Sequence, residues 1–195
     1  MKIIFLPWLP GILLSILLSL AVWNDIKSRQ IPNKIVFSGS LIGIALNTLI
    51  DPGTGLFNEP FGGLGILIAI AGLAIGLIIM LPFYALHVMG AGDVKLMAMI
   101  GAFVGSLAII KVALLSMVAG GLLALIVALW KGVLKQVLAN IHHIFMQSLI
   151  HTLSSEGVRI SAPEVPTVKL AYAIAIATGT VFYLFMSNTP TWSFI

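Results

Sequence analysis

Long apolar stretches separated by short polar ones run the length of this chain, and their spacing suits helices that cross a membrane. A helix needs roughly 20 mostly apolar residues to span the hydrocarbon core of a bilayer. Six stretches approach or exceed that length: residues 8–23, 35–50, 61–86, 94–110, 112–130 and 170–186, with only a tight join near Lys111 between the fourth and fifth. The pattern predicts an all-α, polytopic membrane helix bundle of six spans, built as a single domain over residues 1–195. Small residues recur inside the spans. Gly72-x-x-x-Gly76 and Gly101-x-x-x-Gly105 have the spacing that lets two helix backbones approach closely.

One stretch carries a different periodicity. Leu134, Val137, Leu138, Ile141, Phe145 and Leu149 recur at helical spacing, while Lys131, Lys135, Gln136, Asn140, His142 and His143 fall mainly off that stripe. Residues 131–151 therefore read as an amphipathic helix lying on the inner membrane surface. Residues 154–167, with Pro163 and Pro166, read as an irregular return to the last span. Residues 51–60 read as a turn-rich outer loop.

Composition agrees with the pattern. The chain is 60% hydrophobic and 8% charged, whereas a soluble domain carries about 25% charged residues. A sequence pI of about 9.6 raises the question of nucleic acid. The ten Lys and Arg are scattered between apolar spans and form no continuous basic face, so no nucleic-acid partner is expected and the lipid bilayer is. Their distribution sets orientation instead. With the N-terminus outside, eight basic residues fall in cytoplasmic loops, against Lys2 and Lys111 outside. No small-x-small cleavage site closes the first span, which is read as a membrane anchor rather than a signal peptide. The chain has no cysteine, which removes disulfides, thiolate metal sites and a cysteine nucleophile.

Acids are scarce enough to take one at a time. Asp51 and Glu59 belong to the outer loop, and Glu156 and Glu164 to a polar inner one; all four read as solvated. Asp25 and Asp93 each stand at the cytoplasmic boundary of an apolar span, where an ionisable group is costly and usually functional. Two carboxylates brought together across a bundle cannot both ionise easily, so they share a proton. One then deprotonates a water while the other protonates a departing amide, which is peptide hydrolysis. Asp93 also suits an N-terminal cap on the fourth span, and the glycines of Gly90-Ala91-Gly92 suit positive φ or the close approach of another segment.

These residues carry a resemblance. Gly90-Ala91-Gly92-Asp93-Val94-Lys95-Leu96 resembles the GxGDxKL signature of the type IV prepilin peptidase family. Asp25, with Ile31-Pro32-Asn33 following it, is similar to that family's first-aspartate segment. The resemblance implies a multi-pass aspartic endopeptidase of a bacterial or archaeal plasma membrane, with its active site facing the cytoplasm. It implies a prepilin or pseudopilin substrate losing a short basic leader, no cofactor, and Asp25 and Asp93 as the catalytic pair. Gly90, Gly92, Lys95, Pro32 and Asn33 are the supporting motif positions. The family's larger members add an N-terminal module, often with zinc-binding cysteine pairs, that is tied to methylation of the product. This chain is similar to the short, peptidase-only branch of tight-adherence (Flp-type) pili, so no methyltransferase activity is expected.

The residues leave other readings open. A presenilin-like intramembrane protease also uses GxGD, and a small transporter could use the two aspartates as ion sites. His142, His143 and His151 read as polar-face residues rather than metal ligands, since adjacent histidines point to different helix faces and no acid lies close by. No placed Ser-His-acid set supports a serine protease. The sequence assigns no role to His87 or Tyr172 and no oligomeric state.

Overall fold

A computed structural model describes residues 8–58, 60–86, 88–132 and 171–187. Helices are the only extended regular structure among them: α1 (Leu9–Ser28), α2 (Asn33–Leu49), α3 (Ile66–Ala85), α4 (Ala91–Val104), α5 (Ser106–Trp130) and α6 (Tyr172–Ser187). By length and composition α1, α3 and α5 are apolar enough to cross a membrane, and α6 is a shorter apolar helix. Glu59, His87, the 131–151 amphipathic stretch from residue 133 onward, His142, His143 and His151 lie outside the described residues. Packing divides the chain into a main unit, Met1–Gly120 with Ala171–Ile195, and a second unit, Gly121–Leu170. The second is described only through Gly132, as the end of α5 and a short turn.

α4 forms the middle of the main unit. From Leu96 to Val104 every residue is buried, and α1, α2, α3 and α6 all pack against it. Its closest neighbour is α3, because both helices present glycine at the contact. A methyl group added at Gly101 would run into the carbonyl oxygen of Gly72, and one at Gly72 into that of Gly101. Gly76 lies in the same way against the backbone of Met97 and Ala98. The small-residue spacing in the sequence thus marks the tightest contact in the bundle. With no hydrophobic drive between helices in lipid, such contacts hold by dispersion at short range.

The sequence places the fourth break near Lys111, and the structure places it at Gly105. There φ is 85° and ψ 178°, a conformation that ends α4 and that glycine adopts without strain. Lys111 lies within α5. From Leu96 to Trp130 Lys111 is the one charge in a mostly apolar stretch, so hydropathy responds to it while the backbone breaks at the residue able to turn.

Asn47 closes the end of the bundle remote from the aspartates. Only 1% exposed, its amide nitrogen donates to the carbonyls of Ala102 at 2.9 Å and Phe103 at 3.1 Å. Its side-chain oxygen accepts the N–H of Leu64 at 3.0 Å. One side chain on α2 therefore satisfies carbonyls left unpaired at the end of α4 and pins the segment entering α3. Replacing it by leucine orphans those groups, at about 1–3 kcal/mol for each buried group left without a partner. Asn47→Leu is expected to lower the melting temperature in detergent by several degrees, read by thermal unfolding beside wild type.

Candidate active site

On α1 the buried positions Pro10, Leu14, Leu17, Leu18, Ala21 and Asp25 follow helical spacing along one face. Asp25 ends this stripe and so points into the bundle, 8% exposed. The helix stops just beyond it. Arg29 adopts φ 54°, the left-handed conformation of many helix ends, and its N–H donates to the Asp25 carbonyl at 2.9 Å. Residues 29–32 then lead directly into α2.

Asp93 occupies the first turn of α4, ahead of the apolar run that begins at Val94. Its Oδ2 accepts the N–H of Gly90 at 3.2 Å, and its own N–H donates to the Gly90 carbonyl at 3.1 Å. The capping role and the buried position therefore coexist: Asp93 is also 8% exposed. Neither Gly90 nor Gly92 takes a positive φ. Gly90 is extended, and the helix already begins at Ala91, so Gly92 has helical backbone. The need at Gly92 is space: a Cβ there would stand 3.1 Å from Cβ of Ile31 in the α1–α2 connection.

That contact brings the two motif segments together. Asp25, residues 28–33, Gly90 to Asp93 and Lys95 line one cavity of about 530 Å³. Every site position singled out in the sequence faces it: Asp25, Pro32, Asn33, Gly90, Gly92, Asp93 and Lys95. Lys95 Nζ donates to Asn33 Oδ1 at 2.9 Å, and its ammonium lies 6.0 Å from the centre of the Phe37 ring. A larger cavity of about 640 Å³, bordered by Trp8, Ile12, Phe57 and Phe61, has no acid or base in its lining.

The charge of Asp25 acts on Asp93. Burial, and then the neighbouring charge of Asp25, push the Asp93 carboxyl up to about 6, against the opposing hydrogen bond from Gly90. Asp25 has a different partner: its Oδ2 accepts the N–H of Ala173 at 3.2 Å, in the first turn of α6. Amides at a helix N-terminus lack partners within the helix and carry partial positive charge, which suits a carboxylate acceptor. Sequence reasoning missed this donor because it is a backbone group on the last helix, and no side chain in the sequence advertises it. Tyr172, in the same turn, lies within electrostatic reach of Asp93. Among the described residues no group of three or more His, Cys, Asp or Glu is arranged to hold a metal ion.

The profile of the type IV leader peptidase family matches residues 12–125. This chain belongs to that family. The matched region carries both aspartates, the cavity around them and the α3–α4 glycine contact, whereas α6 and its donor to Asp25 lie beyond it. Comparison with curated proteins and with solved structures returned no match. Membership makes the protein a peptidase of leader-peptidase type, and with its three span-length apolar helices it is a membrane protein.

Proposed function

We propose that this leader peptidase is an aspartic endopeptidase, with Asp25 and Asp93 as its catalytic pair. Its substrates are prepilin-like or pseudopilin-like proteins, which it cuts after a short basic leader at the cytoplasmic face of the membrane. The observation that carries the reading is the shared cavity: two carboxylates from separate motifs open on the same space, and the charge of one raises the pKa of the other.

The chemistry follows from that asymmetry. Asp93, raised to about 6, serves as the acid when it carries a proton. Asp25 serves as the base: it takes a proton from water as the water oxygen bonds to the scissile carbonyl carbon. Asp93 gives its proton to the departing amide nitrogen, so the peptide C–N bond breaks to a carboxyl and an amine. The proton gained by Asp25 then restores Asp93. Each transfer of this kind contributes about 10²–10⁴-fold. Both acids open on one cavity rather than being strung along a path, which favours hydrolysis over ion transport. With no cysteine in the chain, we extend the reading to hydrolysis and not to methyl transfer.

The test is cleavage of a prepilin-like substrate in membranes by wild type, Asp25→Asn and Asp93→Asn. A pH profile gives a second check. Because the acid must be protonated and its carboxyl is raised to about 6, kcat/KM is expected to fall as pH rises through about 6. An acid of ordinary pKa would place that fall about two units lower. A profile flat between pH 5 and 8 would remove Asp93 from the acid's role.

A further inference from the structure

The two aspartates lie far apart in sequence, and the shortest covalent strap near them is the connection from α1 to α2. That strap is held at three points. At its start the Arg29 N–H is bonded to the Asp25 carbonyl. In its middle Ile31 packs on Gly92, one residue before Asp93. At its end Asn33, the first residue of α2, accepts a hydrogen bond from Lys95, two residues after Asp93. The first hold ties the strap to the backbone of the residue that bears one carboxylate, and the other two tie it to the turn that bears the other.

Lys95 is the informative member. It lines the cavity close to Asp93 in sequence, where a lysine would ordinarily be read as a charge acting on the carboxyl or on a substrate carbonyl. Its geometry points elsewhere. A lysine has donors only, so it is the amide oxygen of Asn33 that meets it, and the ammonium also lies toward Phe37 on α2. Burial and the charge of Asp25 raise the Asp93 carboxyl, and the hydrogen bond from Gly90 lowers it. We infer that Lys95 and Asn33 form a clasp between α4 and α2, and that Lys95 is a positioning residue that sets Asp93 against Asp25 through the α1–α2 strap. The inference rests on the dyad reading of function and adds to it how the pair is kept in register.

A clasp and a substrate contact differ in what they do to kinetics. If Lys95 acts through Asn33, removing either partner misplaces the carboxylates by the same small amount, and removing both does no further harm. Small misplacements at a reacting centre cost up to about 10²-fold. Lys95→Met and Asn33→Ala are each expected to lower kcat by about 10–100-fold with KM nearly unchanged, and the double variant is expected to match the worse single one. Lys95→Arg keeps a donor and Asn33→Asp keeps an acceptor, so each is expected to recover most of the activity. The pH at which kcat/KM falls is expected to move in the same direction in Lys95→Met and Asn33→Ala, since either loss shifts Asp93 relative to the Asp25 charge that helps raise it. Melting temperatures in detergent of wild type, Lys95→Met, Asn33→Ala and the double variant should show the same non-additivity.

Additive losses in both kcat and melting temperature overturn the clasp. So does a Lys95→Met variant that raises KM while Asn33→Ala behaves as wild type, which assigns Lys95 to the substrate. Coupled melting in a protein that cleaves nothing, wild type included, sinks the peptidase reading and the positioning role with it. Additive behaviour in a protein that does cleave sinks the clasp alone.

Discussion

Asp25→Asn and Asp93→Asn are each expected to reduce cleavage of a prepilin-like substrate by about 10³-fold or more, with unchanged abundance in the membrane. Asparagine has nearly the shape of aspartate and keeps an oxygen to accept the Ala173 or Gly90 N–H. It can neither take a proton from water nor deliver one. The two variants should differ in a second respect. Asp25→Asn removes the charge that helps raise Asp93, so the remaining carboxyl should titrate lower than the wild-type value of about 6, with burial alone still lifting it. Asp93→Asn removes a group whose pKa is higher in the folded protein than in the unfolded chain. Such a group favours folding most below its unfolded value of 3.8, and that contribution is lost as pH rises through about 6. At neutral pH the Asp93→Asn protein should therefore be at least as stable as wild type. Inactivity without lost stability is the signature of a chemical role; substrate cleavage in membranes and thermal unfolding in detergent read the two arms. Cleavage persisting in either variant would end the dyad proposal.

The second large effect concerns the bundle. Gly101→Val is expected to abolish accumulation of folded protein in the membrane, and Gly101→Ala to destabilise it clearly. A Cβ at position 101 overlaps the carbonyl of Gly72, which is backbone and cannot rotate away, so α3 and α4 must separate. Overpacking of this sort costs about 1–3 kcal/mol where flexible side chains can yield, and more where backbone must move. Gly11→Ala makes the matching control. A Cβ at Gly11 meets nothing within 4 Å, and alanine favours a helix by about 1 kcal/mol over glycine. That change is expected to be neutral or stabilising. Membrane abundance and detergent melting curves for the three variants separate a steric cause from a general intolerance of glycine replacement.

Several parts of this site are readable from residues alone. Asp25 and Asp93 stand out because acids are rare in the chain and costly near hydrocarbon. The glycines of α3 and α4 stand out by their spacing, and the two motifs by their letters. Asn47 was equally available to such reasoning. A polar side chain within an apolar span needs partners, and near the end of α2 the structure supplies them from α4 and the segment entering α3.

What the sequence determines by itself is class and candidate residues: a helical membrane protein with two carboxylates set in recognisable motifs. Burial was left to the tertiary structure. In a soluble protein a polar stripe marks the side facing water, but here lipid and core are both apolar, and α3 and α5 carry no stripe to say which face is inside. Hydropathy therefore took Lys111 for the end of a span where the backbone turns at Gly105. The same blindness hides which groups meet. Ala173 reaches Asp25 through a backbone N–H, and Lys95 reaches Asn33 across two helices. The first joins α6 to α1 and the second α4 to α2, pairings that only the packed bundle creates, as it creates the close approach of Gly72 and Gly101.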